Sequence, residues 1–220
     1  MTYSEPRFEE LSRDTLDRSN DLIFIVDSQL AITYCNPAWD EFALANGGEE
    51  VVGPRVIGTD LMSVIPEALR DFYSEVFQRC RQRHLTFDID YECSSAELYR
   101  LLHMNILPLK RSKELAFINS TRVERVHGAE RPASPPTDIY FSAHGMISVC
   151  CHCRRTRRQG ASDVWDWVPV FLLTRLWKIS HGICPVCVSY FYSQYLNAGT
   201  ISDAASRGQS DSITNSQSNP

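Results

Sequence analysis

The chain has 220 residues, 43% of them hydrophobic, and a formal net charge of −5, which is enough for one good core plus a small module. Its start, MTYSEPRFEELSRD, has no basic opening, apolar segment or cleavage-like site, and the longest apolar run, Val168 to Leu173, is far short of the roughly 20 residues of a membrane-spanning helix. A cytoplasmic protein with no membrane partner is expected. The charge is uneven: 14 basic against 21 acidic residues over 1–127, but 8 against 6 over 128–220. Two electrostatically distinct units therefore fit better than one.

From the N-terminus, Glu5 to Arg18 is charged with Phe8, Leu11 and Leu16 at loosely helical spacing, which predicts a short amphipathic cap helix within residues 1–18. Leu22–Val26 and Ile32–Tyr34 flank Asp27-Ser28 and predict a hairpin. Asn36-Pro37 has the chemistry of a helix start and leads into Asp40–Ala45, which Gly47-Gly48 ends. Gly58-Thr59-Asp60 caps a further short segment. Pro66–Arg83 places Leu69, Phe72, Tyr73, Val76, Phe77 and Cys80 on one helical face. Leu85–Cys93 then alternates Leu85, Phe87, Ile89 and Tyr91 with polar residues, and Leu98–Leu109 and Leu115–Ser120 supply two more strands. The predicted class is α+β, a five-stranded antiparallel sheet with helices on one face.

Residues 124–138 (ERVHGAERPASPPTD) are polar and Pro-rich, the composition of a linker. Ile139–Val149 is expected to be a strand or extended lead-in. Beyond it stand two Cys-x-x-Cys pairs, Cys150/Cys153 and Cys184/Cys187. Two intervening residues let both sulfurs of a pair reach one metal at about 2.3 Å, so the four together have the pattern of a structural zinc site. In a reducing compartment such pairs are metal ligands or redox centres rather than disulfides. Pro185 suits the first turn of a helix running through Val186, Val188, Tyr190, Phe191 and Tyr195, and Gly182 can turn the backbone into the pair. A zinc knuckle followed by a helix is similar to a treble clef. Cys151 and His152 lie between the first two ligands. His181 could replace a cysteine, although four cysteines with His181 beside them is the simpler assignment. Trp165, Trp167, Phe171, Leu172, Leu176 and Trp177 are expected as an amphipathic stretch over the metal, making 139–196 a cysteine-rich zinc-binding module. Residues 197–220, rich in Ser, Asn and Gly without an aromatic, are expected to be disordered.

The order of elements over residues 19–123, with Asn36-Pro37-Ala38 after the opening hairpin and Gly58-Thr59-Asp60-Leu61 leading to Ile65-Pro66, resembles a PAS sensor domain. Tyr91-Glu92-Cys93-Ser94-Ser95 and Met104-Asn105-Ile106-Leu107-Pro108-Leu109, taken with Ser180-His181-Gly182-Ile183-Cys184-Pro185-Val186-Cys187, resemble a bacterial group of PAS proteins ending in a cysteine-rich module. The resemblance implies a sensor or interaction unit whose cavity can hold haem, flavin or a small acid. From the residues themselves the cavity ligand is unknown and an empty cavity is equally open. Neither Cys35 nor Cys80 has the context of a photoactive flavin adduct. His84, Cys80 or His103 could be proposed as a haem ligand, but each suits an ordinary surface or core role. The aromatics Trp39, Phe72, Phe77 and Phe87 are expected in the core.

The basic run Arg154-Arg155-Thr156-Arg157-Arg158 invites a nucleic-acid reading. Four thiolates on Zn²⁺ leave a site at −2, however, which nearby arginines would balance. No phosphate-binding loop, nucleophile elbow or kinase segment is present in the sequence. The expectation is a non-enzymatic signalling or regulatory protein that contacts a protein partner or itself through the PAS-like unit. A zinc-dependent nucleic-acid-binding regulator ranks second and a thiol redox switch third. An iron–sulfur cluster on the same four ligands is not separated from zinc by spacing alone.

Overall fold

The computed structural model describes residues 3–4, 12–109, 112–127, 137–173 and 178–196. A two-residue strand β1 (Tyr3–Ser4) and helix α1 (Arg13–Asp17) precede the hairpin β2 (Leu22–Val26) and β3 (Ile32–Cys35). Asp27 closes that hairpin by accepting the Gln29 and Ala31 N–H groups on Oδ1. Helices α2 (Pro37–Ala45), α3 (Gly53–Val56), α4 (Leu61–Val64) and α5 (Glu67–Arg83) follow, then the strands β4 (Thr86–Glu92), β5 (Leu98–Pro108) and β6 (Leu115–Val126). The antiparallel order is β1-β4-β5-β6-β2-β3.

The helical stripe of α5, from Leu69 to Cys80, is buried as its three-and-four spacing requires. It lies over Phe87 and Ile89 of β4, Met104 and Ile106 of β5, and Leu115 and Phe117 of β6. α3 and α4 add Val56 and Leu61 to the same core, while Leu16 of α1 packs against Ile23 and Tyr34 on the other face. The expected α+β arrangement of a five-stranded antiparallel sheet with helices is therefore present, with β1 as an added edge strand. Phe72, Phe77 and Phe87 are core residues, and Trp39 packs at the core's margin while donating Nε1–H to the Val51 carbonyl.

Several expectations shift. β6 runs to Val126, so Glu124–Val126 of the expected linker is strand; 128–136 lies outside the described residues. Of the expected N-terminal cap helix, Arg13–Asp17 is helical, and Phe8 and Leu11 lie outside the described residues. In place of an extended lead-in, Thr137–Tyr140 is a 3-10 turn, and β7 begins at Met146.

The later segment forms β7 (Met146–Cys150), β8 (Thr156–Arg158), β9 (Ala161–Asp166), helix α6 (Val170–Leu173) and β10 (Lys178–Gly182). Their order is β10-β7-β8-β9, with β10 parallel to β7 and the other pairs antiparallel. Trp165 of the expected amphipathic stretch is thus in a strand, opposite Arg157: Gly160, at φ 75, turns β8 back into β9. Leu176 and Trp177 lie outside the described residues. Tyr140, Ile147, Val149, Val168 and Phe171 form a separate small core. A helical run closes the described chain: Pro185–Cys187, a π-helical Val188–Tyr192, then Ser193–Leu196. Its buried Phe191, Tyr192 and Tyr195 belong to the same core as α5 and β4. One continuous core thus joins residues on both sides of the Pro-rich stretch.

Candidate metal centre

Cys150 ends β7 and Cys153 sits in the turn before β8, held by N–H donation from Cys150 to the Arg155 carbonyl and from Arg154 to the Cys150 carbonyl. Cys184 caps the helical run, its sulfur accepting the Cys187 N–H at 3.4 Å, and the Cys184 N–H points at Cys150 Sγ, also at 3.4 Å. Pro185 occupies the first helical turn as its missing N–H predicts. The four sulfurs lie within 4.8 Å of one another, all four residues are buried, and Cys153 and Cys184 Sγ are 3.6 Å apart. A tetrahedral ion with metal–sulfur bonds of about 2.3 Å requires sulfurs about 3.8 Å apart. The cluster fits that shape, and all eight cysteines are free thiols rather than disulfides.

Electrostatics point the same way. Donation from the Cys151, Cys153, Cys184 and Cys187 thiols pushes Cys150 far down, while contacts among the same sulfurs push Cys153 and Cys187 up. Cys184 is lowered as well, so the cluster favours thiolate at Cys150 and Cys184, and a dication would displace the remaining S–H protons, as thiolate ligation requires.

Neither Cys151 nor His181 belongs to the sulfur cluster. His181 lies exposed on β10 opposite Val149. Gly182 serves a close approach: a Cβ there would meet Trp165 at 3.3 Å, and its carbonyl accepts the Cys151 N–H. The unassigned residue of the knuckle proves to be His152. It is 7% exposed, and desolvation pushes its imidazole down to about 4, so it is neutral near pH 7. His152 Nε2 lies 2.8 Å from the Tyr192 hydroxyl, which lies 3.2 Å from that of Tyr73 on α5. The His152 carbonyl accepts the Ser94 N–H, and Arg154 Nε donates to the Ser94 carbonyl. The Cys93-Ser94-Ser95 turn and the Cys-x-x-Cys knuckle, over fifty residues apart in sequence, are therefore docked on each other. Only the oddity of a histidine between two ligands could have hinted at this.

The other candidates have ordinary surroundings. Cys80 is buried, and desolvation pushes its thiol, like that of Cys35, up to about 12. His84 ends α5 in the left-handed conformation, and His103 Nδ1 pairs with Asp90 at 2.6 Å. In the basic run, Arg158 is bound by Asp166 through Nε and Nη2, Arg154 by Ser94, and Arg157 Nη2 reaches Ser148 Oγ at 3.5 Å. No helix among the described residues is long and apolar enough to cross a membrane.

No protein-family model and no curated protein matches the chain. Among solved structures it is similar to a domain of an HTR-like protein from Haloarcula marismortui ATCC 43049, with 15% identity over 48% of this chain and 100% of that one and a TM-score of 0.35. The photoactive yellow protein domain of the sensor histidine kinase Ppr from Rhodospirillum centenum is 12% identical over 50% of this chain and 93% of its own, with a TM-score of 0.38. The PAS domain of a nitrogen regulation protein from Vibrio parahaemolyticus is 16% identical over 49% and 94%, with a TM-score of 0.28.

Proposed function

We propose that the chain is a non-enzymatic signalling or regulatory protein in which a PAS-like sensor or interaction unit, residues 19–123, is joined to a structural zinc module, residues 139–196, that contacts a protein partner. The observation that carries this reading is the buried tetrad of Cys150, Cys153, Cys184 and Cys187, whose four sulfurs lie within 4.8 Å of one another. All-sulfur, four-coordinate, closed ligation suits zinc and leaves no open position for bound water, so the ion's contribution is folding free energy rather than chemistry.

Nucleic-acid binding ranks lower because Arg154 and Arg158 are spent on Ser94 and Asp166. The redox reading ranks lower because the tetrad's thiols serve as ligands. Purified protein should carry one equivalent of zinc and no visible absorption. Cys184→Ser should lose the metal. Less than half an equivalent in protein prepared without chelator would defeat the zinc assignment, and a brown charge-transfer spectrum would replace it with an iron–sulfur cluster. A specific duplex complex tighter than about 10⁻⁷ M at physiological salt would promote the nucleic-acid reading.

A further inference from the structure

The helical run that starts at Pro185 is only twelve residues long, counting Pro185 to Leu196, and a helix of that length is marginal in water without tertiary support. Two anchors hold it. At its start, Cys184 and Cys187 belong to the sulfur tetrad. In its second half, Phe191, Tyr192 and Tyr195 are each no more than 8% exposed and sit between α5 and β4. The Tyr192 ring meets Phe72 at 5.5 Å and stacks on His152 at 5.7 Å, while Tyr195 meets Phe72 at 5.3 Å and Phe87 at 5.7 Å. His152, carried by the other Cys-x-x-Cys pair, also faces Tyr91 at 5.6 Å. Between tetrad and core the run has little else to hold it: Pro185, Val186, Ser189 and Tyr190 are exposed, and β10 before it is exposed over Lys178–His181.

We propose that the four-cysteine centre is a latch on an aromatic plug: metal at Cys150, Cys153, Cys184 and Cys187 fixes the run so that Phe191, Tyr192 and Tyr195 fill the sensor core, and metal loss releases the run and opens that core between α5 and β4. The inference rests on the metal reading above. It assigns the space between helix and sheet an internal occupant, and it makes the occupant's residence conditional on the ion. A released run leaves Phe72, Tyr73, Phe87 and Tyr91 facing a solvent-accessible apolar slot, whereas the sheet itself keeps its ladder and the α5 contacts made by Leu69, Val76 and Phe77.

The test is hydrogen exchange on the full chain, under reducing conditions, with zinc bound, after EDTA treatment and after zinc is returned, with metal content measured on each sample. The latch requires exchange at 188–196 to accelerate by at least about tenfold on metal loss, with 102–107 and 115–119 unchanged and full reversal on zinc return. The dye anilinonaphthalene sulfonate should gain fluorescence in the same step. Tyr192→Glu supplies an independent route, since it expels the plug without removing a ligand: it should keep one zinc and still show the accelerated exchange and the dye signal. Unchanged protection of 188–196 in metal-free protein overturns the latch, as does loss of protection in β5 and β6 in step with the run, which would make the metal a staple of the whole fold. Absence of metal from every preparation overturns the zinc reading and the latch together; bound metal with an unresponsive run overturns the latch alone.

Discussion

Asn36 is fully buried and holds three parts of the chain at once. Its Oδ1 accepts the N–H groups of Ile23 and Trp39, and its Nδ2 donates toward the carbonyls of Leu16, Ser19 and Asp21. Asn36→Ala would leave those buried groups unpaired at about 1–3 kcal/mol each, so a loss of about 3 kcal/mol or more is expected by urea denaturation. Asn36→Asp should fare no better, because an oxygen would then face three carbonyls. The cap function of Asn36 was legible from Asn-Pro in the sequence, whereas the ties to Leu16 and Ser19 were not, since nothing local marks partners seventeen to twenty residues away. The tetrad ligands were legible for the opposite reason: two intervening residues fix a pair's chemistry locally. A gentler case is Asp166, held below the usual carboxylate range first by Arg158 and also by the Tyr140 hydroxyl at 2.8 Å. A lowered folded value means the contribution is complete above the unfolded carboxylate value near 4 and fades as pH falls through the folded value. Arg158 is partly exposed, so solvent screening keeps the pair's contribution small. Thermal denaturation of Asp166→Asn should therefore differ little from the parent at pH 7 and converge with it as pH falls through the lowered folded value.

At the scale of elements, strong periodicity was reliable and weak periodicity was not. α5 shows six apolar positions on one stripe and forms as expected, and β5 and β6 follow their alternating apolar positions. Trp165 and Trp167 could belong to either period, and cross-strand pairing with Arg157 placed Trp165 in a strand. The end of β6 was obscured because Thr121–Val126 faces solvent, so its sequence carries no burial pattern. The helical run was foreseen from Pro185 and its aromatics, but not where those aromatics would go. Its energetics can be separated by two substitutions. Tyr192→Phe keeps the ring and removes the hydroxyl shared with Tyr73 and His152, for an expected cost of about 1 kcal/mol. Tyr192→Ala opens a ring-sized void in a fully buried position and should cost about 3–5 kcal/mol. Equal costs in chemical denaturation would mean that the hydroxyl network, not the packing, holds the run.

For the molecule as a whole, the polar, Pro-rich stretch between the units says nothing about how they pack, since a linker's composition reports only on the linker. The contacts that couple the units are made instead by Ser94, His152, Tyr73 and Tyr192, pairs far apart in sequence. Coupling of this kind is reciprocal: if the metal stabilises the docked run, the docked run must strengthen metal binding by the same free energy. Tyr73→Phe isolates that link, because it removes the 3.2 Å hydroxyl contact to Tyr192 while leaving Tyr192 its 2.8 Å contact to His152, and it lies in α5, remote in sequence from every ligand. A lost hydrogen bond of about 1 kcal/mol, present only in the metal-bound and docked state, should weaken zinc binding by roughly fivefold. Competition against a chromophoric chelator at fixed pH measures this directly, and circular dichroism of the zinc-free variant checks that the sheet is intact. An affinity equal to that of the parent would show that the run is docked equally with and without the ion, since only an interaction that differs between the two states can appear in the binding constant.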